Sequence, residues 1–282
     1  MAKGLRIHVY KRNLKSGAVS PHVLAAIEGF KRHGLSPIIK MPGAPEPCDL
    51  AVMWGVKKKP EMASGHRALI LERGYIGDRF SWTSMGFDGL NGRADFCNGD
   101  SAAWRFNDLF SKHLKPWRGH DGDYVLVMGQ VEGDASLANV RINDWYRTVA
   151  LKLKHAGIPA YFRNHPLNMH RPTIPNLPSI SPDISLEDSM RDAMWVVTYN
   201  SNSGVDAMMA GIPAVSCDEG SMIWNIGGRN PVLRPQMLDR TQWARNLAFC
   251  QWSLDEIRKG IAWDHLKVGM EKVSSDAVSV SG

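Results

Sequence analysis

The chain has 282 residues and only four cysteines, Cys48, Cys97, Cys217 and Cys250, widely spaced and without a CxxC pair. A disulfide framework or a thiol-based metal site would need closer or paired spacings, so reduced thiols in a cytosolic protein are expected. No stretch reaches the roughly 20 apolar residues that span a bilayer. The first residues, MAKGLRIHVYKRN, carry charge but no apolar core of signal-peptide length. There is no GxGxxG and no GxxxxGK[ST], which counts against a dinucleotide dehydrogenase and against an ATPase. The histidines lack metal-ligand spacing. No repeat and no low-complexity tract is present.

Composition is ordinary for a globular protein, with 44% hydrophobic and 22% charged residues. The charge is unevenly divided. Residues 1–120 carry 19 Lys and Arg against 10 Asp and Glu, a net of +9, and residues 121–282 carry 15 against 18, a net of −3. A basic half attracts polyanions through its summed field, an effect that salt screens.

Short apolar runs alternate with helical spacings. Leu5 to Tyr10 reads as a strand, Pro21 to His33 as a helix stopped by Gly34, and Pro37 to Lys40, Asp49 to Trp54 and Ala68 to Leu71 as further strands. After a Pro-, Gly- and charge-rich segment at 111–123 the pattern restarts. Tyr124 to Met128 is a strand, Asn143 can cap a helix that runs to His155, and Ala160 to Arg163 is a strand. Ser185 caps a short helix with Asp188 three residues on. Trp195 to Tyr199, Ser203 to Ala210 and Ala214 to Cys217 then read as strand, helix and strand, and residues 240–262 as mostly helical. This pattern predicts an α/β fold of two Rossmann-like domains facing a cleft, divided as 1–118 and 119–282, with C-terminal helices that can cross back. Ligands of such sheets bind beyond the carboxyl ends of the strands, so function is sought in those loops.

Three loops of the second half stand out. In VVTYNSNSGVDAMMAGIPAV a strand enters the polar run Asn200 to Gly204 and a helix begins, so Ser201, Asn202 and Ser203 are candidate phosphate contacts. Asp206 can bond a ribose hydroxyl or close a capping box with Ser203. In YFRNHP, Arg163 and His165 lie two apart at a strand end and are candidates for a diphosphate or monophosphate. In VLVMGQVEGDAS, Gly129 and Gly133 permit close backbone approach, and Gln130, Glu132, Asp134 and Ser136 offer polar groups.

Taken in order, QVEGDAS after a strand, HP at a strand end and NSNSG-helix-GIPAV resemble the nucleotide-sugar half of capsular polysaccharide glycosyltransferases, the Kdo transferase group in particular. The likeness covers residues 124–220. It implies the two-domain GT-B fold, a UDP- or CMP-linked sugar donor and no further cofactor. It also implies that His165 sits at the donor phosphate, that Ser201 to Ser203 hold that phosphate, and that Gln130 lines the cleft. Where the family often has a Glu in the helix this chain has Asp206, and Arg163-Asn164 stands where Lys-Pro is common.

The first half supplies candidates for the acceptor. Its segment LILERGYIGDRFSWTSMGFDGLNGRADF follows a strand and contains Glu72, Asp78 and Asp88, each a candidate base for an acceptor hydroxyl, with Asp78 preferred. Arg73 and Arg79 can contact an acceptor or pair with these acids. Lys11, Arg12 and Lys57, Lys58 add charge near strand ends. No DxD precedes the donor loops, so a metal-independent transfer is expected, with helix dipole and basic side chains meeting the departing phosphate.

The leading expectation is a cytoplasmic glycosyltransferase. Residues 1–118 bind the acceptor and 119–282 the nucleotide sugar. The basic first half favours double-stranded DNA with hydroxymethylated bases, as in bacteriophage DNA modification in the host cytoplasm, where the target base must be flipped out. The resemblance itself suggests a capsule or surface saccharide. A sugar-nucleotide epimerase and a non-catalytic polyanion-binding protein are the remaining alternatives.

Overall fold

The computed structural model describes residues 4–11, 19–41, 46–56, 65–119, 121–138, 140–168, 171–181 and 183–270. Contacts divide the chain into two compact units, Met1–Phe106 with Arg245–Gly282, and Asn107–Ala244. The units therefore divide at 106/107 and 244/245 rather than at 118/119.

The first unit is built on a six-stranded sheet. Strands β1 (Ile7–Tyr10), β2 (Ile38–Lys40), β3 (Cys48–Trp54) and β4 (Gly65–Arg73) are parallel, and β5 (Trp82–Phe87) turns back antiparallel to β4. A further strand, β10 (Gln251–Ser253), pairs antiparallel with β5, giving the order β10-β5-β4-β3-β1-β2. Two of these strands differ from the sequence expectation. β5 lies in the glycine-rich stretch, and β10 interrupts a region expected to be helical. It is this pairing with β5 that brings residues 245–282 into the first unit.

Helix α1 (Pro21–Arg32) begins on a proline, whose fixed φ and missing N–H suit a helix start. Its apolar face, with Val23, Ile27 and Phe30, packs with Val9, Val52, Leu69 and Leu71 from the sheet. Gly29 is needed there because a Cβ on it would lie 2.2 Å from the Ile257 carbonyl oxygen. The opposite sheet face buries Tyr10, Ala51, Met53 and Ile70. Helix α2 (Ala103–Leu109) runs across the divide between the units.

The second unit is a four-stranded parallel sheet of β6 (Tyr124–Met128), β7 (Ala160–Arg163), β8 (Ala193–Thr198) and β9 (Ala214–Ser216), in the order β7-β6-β8-β9. Helices α3 (Ile142–His155), α4 (Leu186–Arg191) and α5 (Ser203–Met209) follow β6, β7 and β8 respectively. The core gathers Val125, Val127, Tyr146, Val149, Leu153, Phe162 and Val197. Helix α4 has the expected cap, since the Ser185 hydroxyl accepts the Asp188 amide. Helix α3 is capped two residues earlier than expected, at Arg141 in place of Asn143, with no side-chain cap bond.

Helices α6 (Thr241–Ala248), α7 (Leu254–Arg258) and α8 (Ile261–Leu266) complete the chain, and α7 opens with a capping box between Ser253 and Glu256. Among the described residues no helix is long and apolar enough to cross a membrane. No disulfide joins the four cysteines, all of which are described.

Both units place their first four strands in the order second-first-third-fourth, counted along the chain. Successive crossovers leave in opposite directions from the first strand. The switch therefore falls between the carboxyl ends of the first and third strands, where ligands of open α/β sheets bind. In the second unit that place is bounded by Met128 and Thr198; in the first, by Tyr10 and Trp54.

Candidate functional site

At the carboxyl edge of the second unit's sheet the loops are tied together by side-chain amides. Gln130 and Asn200 bond reciprocally. The Gln130 Nε2 donates to Asn200 Oδ1 at 2.7 Å, and Gln130 Oε1 accepts the Asn200 amide at 3.0 Å. Asn200 Nδ2 donates to the Ser136 carbonyl at 2.7 Å and to Asp218 Oδ2 at 2.8 Å. Asn168 Nδ2 donates to the Gln130 carbonyl at 2.8 Å, and the Gln130 amide donates to the Tyr146 hydroxyl at 2.7 Å. Burial pushes the Tyr146 phenol up to about 12, which keeps it a neutral partner. One network thus fixes the loops after all four strands. Gln130 and Asn200 are both buried, so Gln130 braces these loops from within.

The phosphate candidates lie on the braced loops. His165 follows β7, and its Nδ1 accepts the Leu167 amide at 3.2 Å, which assigns the proton of the neutral ring to Nε2. Gly129 brings β6 against this turn; a Cβ there would approach the His165 amide nitrogen to 2.9 Å. Arg163 donates instead to the Ile184 carbonyl at 2.7 Å, so it and His165 have separate partners. At α5 the cap position is Asn202. The Ser203 amide and hydroxyl both donate to Ser201 Oγ, at 3.2 and 2.9 Å, and the Gly204 amide donates to the Ser201 carbonyl at 3.0 Å. The turn is therefore internally bonded, and Ser203 forms no cap of its own. Asp206 stands in the first turn of α5 and is half-buried. A cavity of about 80 Å³ beside the network, lined by Gln130, Glu132, Asn143, Asn168 and Arg171 among others, has room for a few waters and not for a nucleotide.

The structure separates the three acids of the first unit. Glu72 lies at the carboxyl end of β4; a Cβ on Gly55, just past the end of β3, would come 3.4 Å from its Oε2. Asp78 is exposed and caps its own turn, accepting from the Ser81 hydroxyl at 2.6 Å and the Phe80 amide at 3.0 Å. Those bonds hold its carboxyl below the ordinary aspartate value, with a smaller contribution from the charge of Arg73. Asp88 is at the other end of β5, opposite the amino-terminal part of β4. There it accepts from Arg67 Nε and the Ala68 amide, both at 2.7 Å. Because β5 runs antiparallel, its end returns to the edge away from Glu72, and Asp88 serves as a structural partner of Arg67.

Among the basic candidates, Arg73 and Arg79 are half-buried near this carboxyl edge and Lys11 follows β1. Arg12, Lys57 and Lys58 lie outside the described residues. Among the described residues no group of three or more His, Cys, Asp or Glu side chains is placed to hold a metal ion. Sequence reasoning passed over the roles of Asn168, Asn200 and Asp218. Their only signal was that each is polar and follows a strand.

No family model matches the chain, and no curated protein does. Solved structures do. The chain is similar to the Thermosulfurimonas dismutans KpsC beta Kdo 2,7 transferase, at 16% identity and a TM-score of 0.55, over 91% of this chain and 98% of that one. It is also similar to the same organism's KpsC beta Kdo 2,4 transferase, again at 16% identity and a TM-score of 0.55, over 87% of this chain and 90% of that one. At this identity the likeness speaks to architecture: the α/β fold with parallel sheets matches that of GT-B glycosyltransferases.

Proposed function

We propose that the chain is a nucleotide-sugar-dependent glycosyltransferase whose second unit binds the donor and whose first unit binds the acceptor. The observation that carries the reading is the braced carboxyl edge of the second sheet, where the Gln130–Asn200 pair fixes loops bearing His165 and the Ser201–Ser203 turn. A rigid rim of neutral donors at a switch point suits a nucleotide diphosphate or monophosphate. In the transfer, an acceptor oxygen bonds to the anomeric carbon while the bond from that carbon to the phosphate oxygen breaks. The hydroxyl proton passes to a carboxylate, and the negative charge left on the phosphate is met by His165 Nε2–H and the Ser201 hydroxyl. Glu72 is the better base. Asp78 is already satisfied by its own turn and is the more acidic for it, which weakens it as a proton acceptor.

A saccharide acceptor is favoured over DNA, because the two solved structures of like fold are both named as Kdo transferases. The specific observation behind the DNA reading is the net +9 of residues 1–120. Binding of hydroxymethylated duplex that falls steeply between low and physiological salt would restore that reading, and a flat response removes it.

The donor site is tested by thermal unfolding with UDP, CMP, GDP and ADP. One of them should raise Tm by several degrees, since a ligand at a hundredfold excess over Kd stabilises by about 2.7 kcal/mol. His165→Ala should remove that rise and leave the unliganded Tm within a few degrees. A rise that persists in His165→Ala takes this residue out of the donor site, and no rise with any nucleotide sinks the transferase assignment.

A further inference from the structure

The second unit carries a larger hollow at the other end of its sheet. Tyr124 opens β6, Pro159 precedes β7 and Asp192 precedes β8, and these strands are parallel. The hollow they line therefore lies at the amino ends of the strands, opposite the edge braced by Gln130 and Asn200. Its volume is about 950 Å³, at the upper end of the roughly 300–1,000 Å³ of small-molecule sites. Tyr161 pairs with Leu126, two residues after Tyr124, so both tyrosines stand on one face of the sheet. Their rings meet edge to face, with centres 5.0 Å apart. The Tyr124 hydroxyl donates to the Ser189 carbonyl of α4 at 2.9 Å, while Tyr161 is 40% exposed. The outer wall is fixed as well. The Phe162 amide donates to the Pro178 carbonyl and the Ile180 amide to the Phe162 carbonyl, both at 2.8 Å, and Arg163 holds the Ile184 carbonyl.

The lining joins these rings and the apolar Ile180 and Ile184 to carboxylates. Among the described residues that line it, Arg191 is the one basic side chain, and it is paired with Asp188. The carboxylates of Asp123 and Asp192 take part in no ion pair and no hydrogen bond among the described residues. Burial first, then the charge of Asp192 and more weakly that of Asp123, pushes the Tyr124 phenol up, so both carboxylates lie near the tyrosine pair. Carboxylates accept hydrogen bonds and donate none, and their charge opposes an anion. Aromatic rings offer apolar faces to C–H groups. A ligand that satisfies both has many hydroxyl donors, apolar C–H faces and no negative charge, which is the chemistry of a neutral sugar. A cationic peptide would gain little from carboxylates as exposed as these.

We propose that this hollow is a separate, non-catalytic saccharide site, which holds a neutral pyranose oligosaccharide with a sugar ring against the Tyr124–Tyr161 pair and hydroxyls donating to Asp123 and Asp192. The choice of a saccharide rests on reading the chain as a transferase with a saccharide acceptor, but the test needs neither donor nor turnover. Cellohexaose, maltohexaose, hexagalacturonate and hexalysine are titrated into the full chain by calorimetry at low salt. One neutral hexamer should bind about tenfold or more tightly than hexagalacturonate. Tyr161→Ala should weaken that binding by about tenfold, and Tyr161→Phe should keep most of it. Asp123→Asn combined with Asp192→Asn should strengthen hexagalacturonate binding and narrow the gap between the two probes. Unchanged thermal unfolding of Tyr161→Ala separates loss of the ring from misfolding, and the double Asn variant carries the test if that protein unfolds. The proposal is overturned by neutral hexamers that do not bind, by neutral binding that Tyr161→Ala leaves intact, by an unaltered gap in the double Asn variant, or by binding of hexalysine alone. If Tyr161-dependent saccharide binding holds while no nucleotide binds, the transferase reading fails and the site stands; if nucleotides bind and saccharide binding is missing, the site alone fails.

Discussion

Asn200→Ala should abolish nucleotide binding and cost the second unit about 3 kcal/mol, since leaving each buried polar partner unmet costs roughly 1–3 kcal/mol and entering water recovers part of that. The side chain is fully buried and makes four bonds. Its oxygen accepts from Gln130 and, at 3.3 Å, from the Ser136 hydroxyl; its nitrogen donates to the Ser136 carbonyl and to Asp218. Truncation unties the loop after β8 from partners on the loops after β6 and β9 at once. Asn200→Asp preserves the volume but places a carboxylate against Asp218, so it should be no better than Ala. Adding Asp218→Asn to Asn200→Asp restores one donor to that contact and should recover part of the stability, which a double-mutant cycle in urea measures. An Asn200→Ala protein that binds nucleotide as the wild type does would show that the network is incidental to the site.

The sequence disclosed the parts of the fold that local chemistry decides. Pro21 as the first residue of α1 and Ser185 as the cap of α4 are settled within one helical turn, and both stand where the residue types placed them. The apolar runs of β3, β6 and β8 end at the sheet edge as expected, because parallel strands buried on both faces leave a continuous apolar signature. Two strands were hidden for a physical reason. Gly86 made β5 look like a loop, whereas a Cβ there would lie 2.6 Å from the Phe96 ring, so the glycine answers to packing. β10 is three residues of Gln, Trp and Ser that become a strand through pairing with β5, some 170 residues earlier.

The site divides in the same way. His165, Gln130 and the Ser201 turn were visible because they follow strands. That Gln130 should seek Asn200, 70 residues away, cannot be read from either neighbourhood. The position of Asp88 at the far edge depends on the direction of β5, which the sequence pattern left undetermined. The charge division was legible too, but a net charge attracts any polyanion and names none.

The largest stability effect is expected from Arg105→Met, at about 3–5 kcal/mol, the usual cost of removing one partner of a buried ion pair. Arg105 is fully buried in α2 and holds the returning C-terminal segment at three points. Its guanidinium donates to the carbonyls of Ala248 and Gln251, each at 2.8 Å, and to both carboxylate oxygens of Glu256, and it lies 4.1 Å from the Trp252 ring. Burial alone would raise the Glu256 carboxyl, but the bonds from Arg105 and Ser253 outweigh it and hold it below the ordinary glutamate value of 4.5. A carboxyl lowered by folding adds stability that is present above its unfolded value and lost as pH falls through the folded one. In Arg105→Met the guanidinium is gone and burial pushes the Glu256 carboxyl upward instead, so the variant loses stability as pH rises. Urea unfolding at pH 7 and at pH 4 should therefore show the gap between wild type and variant narrowing at the lower pH. Arg105→Met with Glu256→Met should recover much of the loss at pH 7, since two packed apolar side chains leave no buried charge without its partner. A gap of equal size at both pH values would mean that Arg105 acts through its backbone-carbonyl bonds and packing on Trp252, with its charge on Glu256 contributing nothing.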